Sequence, residues 1–132
     1  MSALRILQPP GWARAKGFSN GIAASGKLVF IAGQIGWTGE CKWEARDFVG
    51  QFRQALKNIL EVLKEANGRP EHIVRLTWYV LDKHEYLDSL KNVGEAYREL
   101  MGRHYPTMAV VQVGGLVEDE ARLEIEATAV VP

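Results

Sequence analysis

The sequence predicts an α+β protein with one mainly antiparallel sheet and two helices on one of its faces. Two stretches carry apolar residues at spacings of three and four, the mark of helices with a single buried side. Five shorter stretches are rich in β-branched and aromatic residues or alternate in polarity, as strands do. Their order is ββαβαββ, which lets both helices pack against one side of the sheet. No repeat, linker or low-complexity tract divides the chain, so residues 1–132 read as one domain.

The elements follow in order. Residues 21–32 read as two short strands around Ser25-Gly26-Lys27, a hairpin turn signal. Residues 33–46 contain Gly33, Gly36 and Gly39 without a sustained period and read as a loop. Asp47 stands where an N-cap would. Behind it Phe48, Phe52, Ala55, Leu56, Ile59, Leu60, Leu63 and Ala66 mark the first helix, and Asn67-Gly68 supplies its stop. Residues 73–81 form a strand. Asp82-Lys83-His84-Glu85 has capping-box spacing. It opens a second helix marked by Tyr86, Leu87, Leu90, Val93, Gly94, Tyr97 and Leu100, which ends near Gly102. Pro106 precedes a strand over 107–113, and an acidic turn at 118–120 leads to the last strand, 122–131.

Strand alternation divides the sheet into two faces. Leu123, Ile125, Ala127 and Ala129, with Ala109, Val111 and Val113 and with Val74, Leu76, Trp78 and Val80, are expected to meet the helices. The other face then carries Met108, Val110, Gln112, Arg75, Thr77, Tyr79, Glu124, Glu126 and Thr128. That mixture is too apolar for a solvent face and too polar for a dry core. It reads as a subunit interface with polar groups at its edge.

Composition narrows the function classes. Sixteen basic and 16 acidic residues cancel, which argues against nucleic acid as the main partner. The lone Cys41 cannot form an intrachain disulfide and fits a reducing compartment. The opening residues lack a signal-peptide pattern, and no apolar run reaches the roughly 18 residues of a membrane span. A cytoplasmic protein is expected. His72, His84 and His104 lack zinc-site spacing, and no phosphate loop, dinucleotide fingerprint or nucleophile elbow occurs. No metal and no cofactor is expected.

Asn20-Gly21-Ile22, Ile31-Ala32-Gly33-Gln34-Ile35, Ile73-Val74-Arg75, Tyr105-Pro106 and Leu123-Glu124-Ile125-Glu126-Ala127 stand in one order over residues 17–131. In this the chain resembles the RidA/YjgF/L-PSP family. The resemblance implies a chorismate-mutase-like fold, a homotrimer, and small-molecule clefts between subunits. Active members hydrolyse enamines and imines to ammonia and a keto acid, and the family's older label is endoribonuclease.

The resemblance also assigns residues. The Gly33 backbone and Glu124 correspond to groups that hold the attacking water, with Gln34 and Trp37 nearby in sequence. Phe18 takes the place of a cleft tyrosine, and Asn92 that of a cleft asparagine. Met108 stands where active members carry the arginine that clamps the substrate carboxylate. An arginine binds a carboxylate through two charged hydrogen bonds, whereas methionine offers neither charge nor donor. A divergent member is therefore expected, a poor deaminase of simple 2-imino acids. Arg103, or Arg14, is a candidate for the missing cation, against the plain alternative of a charge near a helix C-terminus. Glu124 and Glu126 have a structural alternative as interface carboxylates, and Cys41 as an incidental loop thiol. Two rival functions stay open: a metabolite-binding sensor without chemistry, and an endoribonuclease.

Overall fold

The computed structural model describes residues 4–132. Its elements are β1 (Leu4–Leu7), β2 (Gly21–Ala24), β3 (Lys27–Ile35), α1 (Phe48–Lys64), β4 (Ile73–Val80), α2 (Lys83–Asp88), α3 (Leu90–Met101), β5 (Thr107–Gln112) and β6 (Leu123–Val131). The main sheet has the order β3-β6-β4-β5. β6 runs antiparallel to both of its neighbours, while β4 and β5 are parallel. A parallel pair needs a crossover, and α2 and α3 form it.

α1 forms where the apolar spacing places it. The Asp47 carboxylate accepts from the Gly50 N–H at 3.2 Å. At the other end Asn67 is left-handed at φ 57°. Gly68 N–H reaches back to the Leu63 carbonyl and Asn67 N–H to that of Lys64, closing the last turn. Phe52, Ala55, Leu56, Ile59 and Leu63 of this helix are fully buried. They pack on Leu76, Trp78, Leu123, Ile125 and Ala129 of the sheet, with the Phe52 and Trp78 rings stacked at 4.8 Å. Each large side chain removed from water contributes about 1.5–3 kcal/mol, so this layer dominates stability.

Several expectations need correcting. β2 pairs with β1, from Leu4↔Ala24 to Leu7↔Gly21, and not with β3. Ser25-Gly26-Lys27 is thus a junction between two sheets and not a hairpin turn. Gly26, at φ 148°, lies against the Val131 carbonyl, so the chain leaves the turn already aligned with β6. β3 also continues through Gly33 to Ile35 across a register shift, although this stretch reads as loop. The second helix breaks at Ser89 into α2 and α3, leaving Leu87 and Leu90 exposed. The capping box is half made. Asp82 accepts from the His84 N–H, but Glu85 turns to the Arg122 guanidinium at 2.6 Å.

The face assignment of β5 is inverted. Its parallel register pairs Leu76 with Met108 and Trp78 with Val110. Met108 and Val110 therefore pack against the core, and Gln112 accepts the Lys83 N–H at the start of α2. Ala109 and Val111 are exposed on the opposite face. In β4 a register shift after Ile73 buries Ile73 fully and leaves Val74 half-buried.

Two polar groups sit inside this packing. Gln51 is fully buried. Its amide donates to the Ala45 and Glu120 carbonyls and its oxygen accepts the Arg122 N–H at 2.7 Å, tying α1 to the chain entering β6. Gln51→Ala strands three backbone groups and is expected to cost about 3 kcal/mol, measured as a lower urea midpoint. Tyr97 donates from its hydroxyl to the His104 carbonyl at 2.5 Å. Burial, with the neighbouring Tyr105 phenol, holds its pKa well above the ordinary value of 10.0. Above that pH the unfolded chain loses this proton while the folded chain keeps it, so stability falls as pH rises. Unfolding titrations past pH 10 are expected to show this loss, and Tyr97→Phe to flatten it.

Candidate functional site

The helix-free face of the sheet carries the mixed surface that alternation predicts, with β5 now contributing Ala109 and Val111. Arg75, Thr77 and Tyr79 on β4 stand beside Glu124, Glu126 and Thr128 on β6. Phe30 and Leu28 on β3 are 74% and 61% exposed, too much apolar surface for an ordinary solvent face. The Tyr79 hydroxyl donates to Glu126 at 2.5 Å, and this bond raises the Tyr79 pKa. Glu126 is thus engaged by tyrosine.

Glu124 stands directly across from Tyr79 on β4 without taking its hydrogen bond, and on its other side it meets β3. A Cβ built on Gly33 would lie 2.5 Å from its Oε2. The missing side chain lets the carboxylate rest on the Gly33 backbone, where β3 shifts register against β6. Beyond it Gln34 and Trp37 line a groove of about 920 Å³ between β3, α1 and the following loop, together with Cys41. The Gln34 amide donates to the Ala32 carbonyl. Asn58 on α1 donates to the Ile35 and Trp37 carbonyls, at 3.2 and 2.7 Å, and fixes that loop.

Phe18 and Met108 meet at the opposite edge of the sheet. The segment before β2 is fastened to β5, for Ser19 N–H donates to the Pro106 carbonyl and the Ser19 hydroxyl to that of Tyr105. This carries Phe18 to the mouth of a cavity of about 390 Å³ between β4, β5, α2 and α3. Met108, Val110 and Trp78 form its floor, and Tyr86, Val93 and Tyr97 its helical wall. The Trp78 indole N–H is buried without a hydrogen-bond partner among the described residues, a state that costs about 1–3 kcal/mol.

The remaining candidates lie elsewhere. Arg103 and Arg14 line an adjoining groove that shares Phe18 and Tyr105 with the Met108 cavity, and neither is among the residues lining that cavity itself. Asn92 is exposed on α3 and is not among the residues lining that cavity. Arg98, which the sequence reading passed over, does line it. A signal was present: Gly94 and Arg98 are one helical turn apart, on the face that Leu90 and Val93 mark. Within one chain the Gly33–Glu124 pair and the Phe18–Met108 pair do not form a single site. Glu124 lies on the helix-free face and Met108 on the helix face, while β3 and β5 are opposite edges. Among the described residues no three His, Cys, Asp or Glu side chains converge on a point. No helix among them is long and apolar enough to cross a membrane.

Comparison with known proteins agrees with this architecture. Residues 11–131 match the family model described as endoribonuclease L-PSP. A RutC family protein of Pyrococcus horikoshii is 34% identical, over 85% of this chain and 85% of its own. The human 2-iminobutanoate/2-iminopropanoate deaminase is 30% identical over 79% of this chain and 73% of its own. The crystal structure of YyfB from Yersinia pestis, a Rid family protein of unknown function, superposes with a TM-score of 0.86. It covers 98% of this chain and 99% of that one at 28% identity. The order of the elements, the glycine under Glu124 and the family match along nearly the whole chain lead to one conclusion: this chain belongs to the endoribonuclease L-PSP, or Rid/YjgF, family.

Proposed function

We propose that the chain is a single-domain homotrimer that hydrolyses imine or enamine metabolites in clefts between subunits, in a reducing, cytoplasmic setting. The observation that carries this reading is the splitting of the site. Gly33–Glu124 and Phe18–Met108 occupy opposite edges and faces of one sheet. A cyclic assembly brings one edge of a subunit against the other edge of its neighbour, and so completes a cleft from two halves. The exposed Phe30 and Leu28 supply apolar area for such a contact.

The chemistry needs no cofactor. Water adds to the carbon of the C=N bond, and its proton passes to the Glu124 carboxylate while nitrogen takes up a proton. The Gly33 backbone holds the water in line. Glu124 then passes that proton to the carbinolamine nitrogen, the hydroxyl gives up its own proton to solvent, and the C–N bond breaks as the carbonyl forms and ammonia leaves. Some relatives are named as deaminases of 2-iminobutanoate and 2-iminopropanoate, which supports the reaction class. Met108 sets the limit, because it gives a small substrate carboxylate no charged partner. A cleft that only binds metabolites is the second reading, and the same methionine favours it.

Glu124→Gln is expected to lower turnover by about 10²–10³-fold while ligand binding persists. Gly33→Ala, which must displace the same carboxylate, is expected to do likewise. Retained turnover in both variants would remove Glu124 from the mechanism. Turnover of 2-iminopropanoate by the natural chain is expected to be slow, and Met108→Arg to raise kcat/KM about tenfold or more. Fast natural turnover that Met108→Arg leaves unchanged contradicts the role given to position 108.

A further inference from the structure

We propose that Arg98 is the anion-binding residue of the Met108 cavity, which takes a small carboxylate bearing an aromatic or similarly large apolar body. The inference deepens the preceding reading by naming the ligand class, and it rests on the cleft being a small-molecule site. Three observations carry it.

Size comes first. The cavity holds about 390 Å³, within the roughly 300–1,000 Å³ of small-molecule pockets and more than pyruvate would fill. Its walls are the second observation. Tyr97 and Tyr105 stack at 5.5 Å and 7°, and Trp78 meets Tyr86 edge-on at 5.7 Å. These rings hold one another in place, so the pocket is preformed and suited to another flat apolar group.

Charge is the third. No Asp or Glu lines the cavity, whereas Lys16 and Arg98 do. Arg98 lies along Gly94, where a Cβ would be 3.2 Å from its Nη1. Bare backbone at position 94 thus leaves the guanidinium room at the cavity mouth. Among the described residues, no carboxylate lies within ion-pair distance of Arg98. Arg53, by contrast, is paired with Glu99, and Arg122 with Glu85. Arg98 therefore keeps its planar fork of donors for an incoming anion.

Position 108 supplies apolar surface from β5, and the charge comes instead from α3, across the cavity. The ligand's carboxylate then sits at the mouth and its apolar body against Phe18, Tyr105, Met108 and Val110, the part of the lining that is open to it.

Calorimetric titration of the full chain with phenylpyruvate, pyruvate and 3-phenylpropan-1-ol tests this without turnover. Phenylpyruvate is expected to bind about tenfold or more tightly than pyruvate. Arg98→Gln is expected to weaken phenylpyruvate about tenfold or more and leave the alcohol unchanged, with Arg98→Lys recovering part of the loss. No phenylpyruvate binding, equal binding of pyruvate, or equal phenylpyruvate affinity in Arg98→Gln each overturns the proposal. The two readings fail separately. Binding through Arg98 without imine hydrolysis in any assay removes the reaction and keeps the ligand class. Hydrolysis with an unchanged KM in Arg98→Gln removes Arg98 and keeps the reaction.

Discussion

The alternation of β6 is the constraint on which the rest of the structure depends. This strand lies inside the sheet, between β3 and β4, and must satisfy two surfaces at once. Leu123, Ile125, Ala127 and Ala129 close the core under α1. Glu124, Glu126 and Thr128 necessarily fall on the other face. A shift of one residue would bury two carboxylates and expose the apolar row. Gln51 secures the entry to β6 by holding the Arg122 N–H and the Glu120 carbonyl from α1. The position of the Glu124 carboxylate is thus a consequence of how the core packs.

The same packing divides the polar chemistry. β6 presents Glu124 to the Gly33 backbone across one strand boundary and presents Glu126 to Tyr79 across the other. Two like residues on one strand face acquire different partners because the neighbouring strands differ. One boundary has a glycine at a register shift, and the other a tyrosine within reach. This is a physical basis for separating Glu124 from Glu126, which spacing alone does not provide.

Across the sheet, the crossover through α2 and α3 creates the second feature. The break at Ser89 divides the crossover into α2 and α3, and both helices line the aromatic cavity together with β4 and β5. A cavity built of Trp78, Tyr86, Tyr97 and Met108 offers shape and apolar area in place of charge. Its cation comes from the helix wall, on the opposite side from position 108. Family membership is therefore compatible with a different ligand, since the fold supports the cleft while individual side chains choose the occupant.

Much of this was legible from one dimension, for a physical reason. α1 with its Asp47 cap and Asn67-Gly68 stop, β4, and the phase of β6 are local patterns strong enough to survive any packing. The five motifs from Asn20-Gly21-Ile22 to Leu123–Ala127, taken together in their order, likewise pointed to the family without a structure. Pairing was not legible. The turn at Gly26 reads alike whether the chain folds back on β2 or passes to β6. β5 is apolar on both faces, so its alternation carries no phase. Only the parallel register with β4 turned Met108 and Val110 inward. Arg98 was invisible for the same reason, because a helix-face cation acquires meaning only from what packs beneath it. The sequence by itself determined α1, β4, the core row of β6 and the family, since these rest on local periodicity and residue order. The tertiary structure alone decided which strands pair, which face Met108 takes and which arginine stands over its cavity. Those depend on contacts between residues far apart in the chain.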